Sequence, residues 1–465
     1  MGTFKLGTQS VVPCAIRPGQ YREFEVATSG NSFGASTGTL IPSLSAKKVI
    51  DLKGATNLYE YVLAHAYSYN TNLNIVDFSS LTSLSYAYSL YYTFRNSRIT
   101  KLDMRNLATI TSSYCCYYTC WRCYYLTSFD LSSLTTISGG SGCEDMFREC
   151  TGLTTASLPL LTTVSAGNGC YCMFYGCTGL TSVDLSALTT VSGSYACRYM
   201  FQGCTSLTTA NISSLTTLSN NYACQYMFSG CTHLATVNFS STLTTLSYQY
   251  VCAYMFQDCT ALTTIDLSHI TIASGQYACY CMFQNCTGLT TLDLSGLTSV
   301  SNNYACGQMF RGCTGLTSAN LSGLTTVSGS NSVYYMFYGC YNLASINLSS
   351  LATISGSYSC YYMFGGCAHL TSVTFNSLST LTGSGCLQYM FSTCENLTSV
   401  SFPALTSTSF GSYNTNQFDN MLEAVSGCTV HFPSNLQSVI GSWSSVSGGF
   451  GGTNTTVLYD LPVTS

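Results

Sequence analysis

Apolar and polar positions alternate along this chain in a block of about 27 residues that returns many times. One copy reads Leu180-Thr-Ser-Val183-Asp184-Leu185-Ser-Ala-Leu188-Thr-Thr-Val191. Its Val183-Asp184-Leu185 core alternates in and out with period 2, which predicts a short strand. Ser192-Gly-Ser194 follows with turn and cap chemistry. Next, Ala196, Cys197, Met200, Phe201 and Cys204 fall at i, i+1, i+4, i+5 and i+8. That spacing predicts one face of a short helix.

Met-Phe-x-x-Cys recurs at Met146, Met173, Met200, Met227, Met255, Met282, Met309, Met336, Met363 and Met390, with a step of 27 everywhere but one, where it is 28. A fixed period in this range means a solenoid, because each unit is too small to bury its apolar face without neighbours. Equivalents of Leu185 stand at Leu52, Phe78, Met104, Leu131, Leu158, Ile212, Phe239, Leu267, Leu294, Leu321, Leu348, Phe375 and Phe402, giving about 14 units. The expected fold is an α/β repeat solenoid: a right-handed stack with one parallel sheet on one wall and short helices on the opposite wall. Residues 1–46 carry no unit and are expected to form an N-terminal attachment module or cap. Residues 47–410 hold the repeats, and 411–465 are expected to close the stack. Within that cap, 429–432 and 456–459 read as strands and 434–443 as a short helix.

Leu-x-x-Val-x-Leu-x-x-Leu followed by an aromatic-x-x-Cys block resembles the leucine-rich repeats of the BspA type over roughly residues 47–410. In that family Ala-Phe usually stands where this chain has Met-Phe, and the unit is a few residues shorter. The resemblance implies a solenoid of the kind found in surface proteins that bind other proteins, matrix or cells. The opening Phe4-Lys-Leu-Gly-Thr-Gln is also similar, over a few residues, to the starts of some gut-phage tail proteins.

Charge changes the picture by its scarcity. Only 7% of residues are charged, the net charge is −4, and no Lys/Arg cluster appears, so nucleic acid is not an expected partner. The chain is 46% apolar, which argues against disorder. No run of about 18 apolar residues predicts a membrane span, and the first residues lack the apolar core of a secretory signal. A virion or an extracellular surface is the expected location.

Two columns of cysteine run down the repeats. Cys150, Cys177, Cys204, Cys231, Cys259, Cys286, Cys313, Cys340, Cys367 and Cys394 form an unbroken one; Val333 and Leu387 interrupt the other, which contains Cys197 and Cys306. A bridged or metal-ligating position would not accept Val with its mate left in place, so these read as small core hydrophobes. No metal or cofactor is expected. The row equivalent to Asp184 mixes Asp and Asn with Ser157 and Thr374. Calcium is conceivable there, but a solvated strand face is the stronger expectation.

The candidate binding feature is tyrosine, of which the chain has 36. Tyr195/Tyr199, Tyr222/Tyr226, Tyr250/Tyr254 and Tyr358/Tyr362 are i,i+4 pairs, and Tyr277, Tyr304 and Tyr335 continue the columns. They are expected to project as a ridge suited to recognition, or to stack into a ladder that stiffens the repeats; the two readings are compatible. The five His are scattered, and no nucleophile has a plausible base and orienter. The expectation is therefore a non-enzymatic recognition or adhesion protein for a protein or glycan on a cell surface, as a phage tail or fibre component or as a bacterial adhesin. Self-association into filaments or a lattice is the alternative.

Overall fold

The computed structural model describes residues 49–52, 55–410, 416–440 and 450–463, and the backbone of Phe4–Leu6, Gln9–Val12, Glu25–Ala27 and Ser32–Phe33. The first three of those strands pair antiparallel, and the fourth pairs parallel with Asn57–Leu58. Most of 1–46, and 441–443 of the expected C-terminal helix, lie outside the described residues. The chain divides into two compact units, residues 1–240 and 241–465.

Each unit is a parallel β-solenoid. In one rung of the first, Ser182–Asp184 makes a three-residue strand that buries Val183. A turn follows, and Thr190–Val191 makes a two-residue strand that buries Val191. Both pair in register with the rungs on either side: Val183 lies between Ala156 and Ala210, and Val191 between Val164 and Leu218. Strands therefore line two walls of each rung, where the sequence suggested one. The second unit repeats the scheme, with Leu292 paired to Ala319 and Val300 to Val327. A separate parallel ladder joins Ser372–Thr374, Ser399–Ser401, Thr429–Pro433 and Thr456–Leu461. Residues 434–440 form the short helix expected there, as a 3₁₀ turn at Ser434–Leu436 and one α-turn at Gln437–Ile440.

The expected helical wall is not present. Residues 194–203 form a ribbon of consecutive turns. Alternate amides bond within the rung to the carbonyl three residues back: Met200 to Cys197 at 3.2 Å, Gln202 to Tyr199 at 3.1 Å, Cys204 to Phe201 at 3.2 Å. The amides between them donate to the next rung: Cys197 to Ala223 at 2.8 Å, Phe201 to Met227 at 2.8 Å, Gly203 to Ser229 at 2.9 Å. Every fourth residue takes a positive φ, at Tyr195, Tyr199 and Gly203. An α-helix would spend all its interior amides on itself. Neighbouring helices also need about 8–10 Å between axes, nearly twice the roughly 4.8 Å at which strands stack. The ribbon stacks at strand spacing and leaves half its amides free to hold the next rung.

Two residues in and two out is the ribbon's side-chain pattern. Ala196, Cys197, Met200, Phe201 and Cys204 are fully buried. The Phe column stacks ring on ring, with centroids 5.2 Å apart from Phe174 to Phe201 and 5.4 Å from Phe283 to Phe310. Each such side chain contributes about 1.5–3 kcal/mol by leaving water. Every described cysteine is a buried free thiol. The unbroken column has a further job: Cys204 Sγ donates to the Phe174 carbonyl at 3.2 Å, and Cys313 Sγ to Phe283 at 3.1 Å. Val cannot replace that donor, which explains why Val333 appears only in the other column.

Candidate functional site

All eleven tyrosines expected to form the ridge lie on the ribbon, and all have φ between +52° and +60°. This left-handed conformation costs a non-glycine residue about 1–2 kcal/mol. What offsets it is visible between rungs. Tyr195 stacks on Tyr222 at 4.6 Å and 11°, and Tyr199 on Tyr226 at 4.9 Å and 21°. In the second unit Tyr277 lies between Tyr250 at 4.5 Å and Tyr304 at 4.8 Å, and Tyr335 stacks on Tyr362 at 5.0 Å. Tyr254 meets Tyr280, and Tyr358 meets Tyr361, edge to face. Stacked pairs contribute about 0.5–1.5 kcal/mol each beyond burial, and the cross-rung amide bonds add to this. Ten of these tyrosines are half-buried and Tyr358 is exposed. A ring covered on both faces offers solvent its edge and hydroxyl, so the columns present combs of phenols.

The same columns extend beyond the eleven residues. Tyr61, Tyr88 and Tyr114 continue the first, His65, Tyr92 and Tyr118 the second, all at positive φ. Tyr61 to Tyr88 is 4.6 Å and Tyr88 to Tyr114 is 5.1 Å. These rungs precede the first Met-Phe-x-x-Cys block, so the repeat pattern passed over them. The four-residue step 61/65/69, 88/92/96 and 114/118/122 is the signal that would have found them.

Tyrosine gives way in the second column to Asp145 at φ +55°, and also to Cys172, Cys281 and Gln308. The Asp145 carboxylate is almost fully buried and accepts from Arg148 at 3.1 Å. Burial pushes its pKa up to about 6 against the pull of Arg148. Arg122 pairs with Glu149 at 2.8 Å on the same ribbon face.

The Asp/Asn row on the strands has a local role. Asp184 Oδ1 accepts the amide of Ser186 at 3.0 Å, and Asn211, Asp293 and Asn347 bond the residue two ahead in the same way. These are Asx-turns that fix the corner after each strand. Among the described residues no three His, Cys, Asp or Glu side chains converge as a metal site. The threonines after the corner are also engaged: Thr162, Thr189 and Thr216 hydroxyls donate to the preceding rung's carbonyl at 3.1–3.2 Å. Among the described residues, no helix is long and apolar enough to cross a membrane.

The sequence matches the BspA type leucine rich repeat region in six copies, over residues 55–172, 143–250, 219–331, 245–359 and 330–442. Among solved structures, a leucine-rich repeat protein from Bacteroides ovatus is similar at 17% identity and a TM-score of 0.54, covering 98% of this chain and 99% of that one. It bears on the fold alone. A leucine rich cell surface protein from Faecalibacterium prausnitzii matches at 15% identity over 98% and 95% of the two chains, with a TM-score of 0.29 that carries no argument. No curated protein matches the sequence. The repeat unit, its parallel ladders and the family match over residues 55–442 agree: this chain belongs to the BspA-type leucine-rich repeat family.

Proposed function

We propose that the protein is a non-enzymatic recognition protein whose tyrosine-bearing ribbon face binds a protein or glycan on a cell surface, as a phage tail or fibre component or as a bacterial surface adhesin. The observation that carries this reading is the tyrosine comb itself: partly exposed phenols held at fixed spacing on positions that disfavour a large side chain. Tyrosine gives broad amphipathic contact at low rotamer cost, and neighbouring Ser and Asn add hydrogen bonding. Rings already locked by stacking lose little further freedom on binding.

Replacing Tyr195, Tyr199, Tyr222 and Tyr226 together by Asn tests the reading. Asn already takes the left-handed conformation at Asn168 and Asn331 in the column of Tyr195 and Tyr222, and at Asn420 in the column of Tyr199 and Tyr226, so the backbone is respected. Attachment to cells is expected to be lost while the circular dichroism spectrum is kept; undiminished attachment by the folded variant would reject the ridge. Low surface charge supports the second reading, assembly into filaments or a lattice. Light scattering that stays monomeric as concentration rises would remove it.

A further inference from the structure

We infer that the ribbon turn at 91–98, with the aromatic rings around it, binds an acidic glycan: an extended sugar chain bearing carboxylate or sulfate groups. This rests on the recognition reading and gives it a location and a ligand class. Arg95 and Arg98 have no carboxylate partner among the described residues, whereas Arg105, Arg122 and Arg148 are paired to Asp103, Glu149 and Asp145. Arg95 is enclosed by aromatic rings instead: its Cζ lies 4.3 Å from the Trp121 centroid and 5.5 Å from those of Tyr92 and Tyr69. Its Nε is buried with no acceptor. Arg98 sits 5.4 Å from the Tyr125 ring. A buried donor without an acceptor, as at the Arg95 Nε, is costly to the chain; Arg98 is exposed, and the fork geometry of both guanidiniums matches carboxylate and sulfate oxygens.

The neighbouring rings define the rest of the ligand. Tyr69 is 60% exposed and Tyr125 is 54% exposed, among the most open large side chains of the chain. Each offers a flat face on which the C–H side of a sugar ring packs while an anionic group reaches the adjacent arginine. Rungs repeat here at 4.6–5.1 Å, measured between Tyr61, Tyr88 and Tyr114. That is close to the advance of one sugar along an extended polysaccharide. An extended acidic peptide that adds by pairing to free backbone is less well served, because amides of this ribbon are spent. His65, Tyr67 and Tyr69 donate to Tyr91, Thr93 and Arg95, and Tyr92, Phe94 and Asn96 donate onward to Tyr117, Thr119 and Trp121. Recognition here is by side chains.

The test titrates the full chain with polygalacturonate, heparin, fully methyl-esterified polygalacturonate and poly-glutamate by calorimetry. Trp121 fluorescence serves as a second readout. Binding of polygalacturonate or heparin is expected; polygalacturonate carries carboxylates alone, so its binding shows that carboxylate suffices, whereas heparin binding without it shows that sulfate is required. R95Q/R98Q is expected to weaken it by about tenfold or more, and Y125S to weaken it while leaving both arginines in place. The inference is overturned if neither acidic glycan binds, if the esterified chain or poly-glutamate binds as tightly, or if R95Q/R98Q binds like the parent. Should R95Q/R98Q bind unchanged while the four-tyrosine variant loses cell attachment, this site falls and the recognition reading stands.

Discussion

At the scale of the residue, the surprise is how many bulky side chains sit in a conformation that glycine prefers. The third left-handed column follows the usual rule in part, with Gly176, Gly203 and Gly230 but Arg122, Glu149 and Asp258 at other rungs. The first two columns hold tyrosines, stabilised by stacking on the rung before and after. Asp145 shows what happens when a charge takes such a place. Its pKa is raised by burial from 3.8 to about 6, so the folded protein holds that proton more tightly than the unfolded chain. Its stabilising contribution is complete below about pH 4 and is lost as pH rises through 6, a difference on the order of 2–3 kcal/mol. Asp103, Asp266 and Glu149 act oppositely. The Arg105 guanidinium lowers Asp103, hydrogen bonds from Ser268 lower Asp266, and Arg122 draws Glu149 down against burial. Their contribution is present at neutral pH and is lost as pH falls into the acid range. Melting temperature is therefore expected to peak between about pH 4 and 5 and to fall as pH rises to about 6. Asp145→Asn, tolerated at positive φ, is expected to flatten that fall; an unchanged profile would show the carboxylate to be better solvated than its burial indicates.

The element that matters most is the turn ribbon. Ala196, Cys197, Met200, Phe201 and Cys204 were correctly legible as one buried face, but the spacing i, i+1, i+4, i+5, i+8 suits a four-residue turn repeat as well as it suits a helix. Positive φ at every fourth residue is invisible in a Tyr-rich sequence, because tyrosine argues against it. The ribbon's phase makes a specific prediction. One residue inserted after Tyr199 moves Met200, Phe201 and Cys204 out of the two-in, two-out pattern and breaks the cross-rung bonds, each worth about 0.5–1.5 kcal/mol. The same insertion at the 186–187 corner changes only a turn, where the natural 28-residue step also places its extra residue, between Phe239 and Leu243. Chemical denaturation midpoints are expected to drop much further for the first insertion than for the second. Equal drops would mean that the ribbon's phase is not what holds the rungs.

On the scale of the whole molecule, each unit is a set of columns: Phe on Phe, Cys beneath carbonyl, Asx at each corner, Thr hydroxyl to the preceding rung. Low charge follows from this construction, since Ser, Thr and Asn make the rung-to-rung bonds that charged side chains would make poorly. The thiols give a global readout. All described cysteines are buried, and burial raises the Cys204 and Cys313 thiols well above their ordinary value, so they remain protonated and unreactive. A disulfide-exchange reagent is expected to label few cysteines until denaturant is added, then nearly all together; rapid labelling of most thiols in the native protein would contradict the buried columns.

Sequence alone determined the period, the register, the burial of Val183, Met200, Phe201 and Cys204, the family, and the columns in which Tyr195 to Tyr362 fall. These are consequences of repetition: like residues at a fixed step must meet when the chain coils. Tertiary structure decided what repetition leaves open. Strand-to-strand spacing is too small for packed helices, so the second half of each rung became a ribbon of turns with tyrosines at its left-handed corners. Only neighbouring rungs, by supplying acceptors and stacked rings, make that conformation the stable one, and only in three dimensions do Arg95 and Arg98 emerge as cations with no carboxylate partner among the described residues.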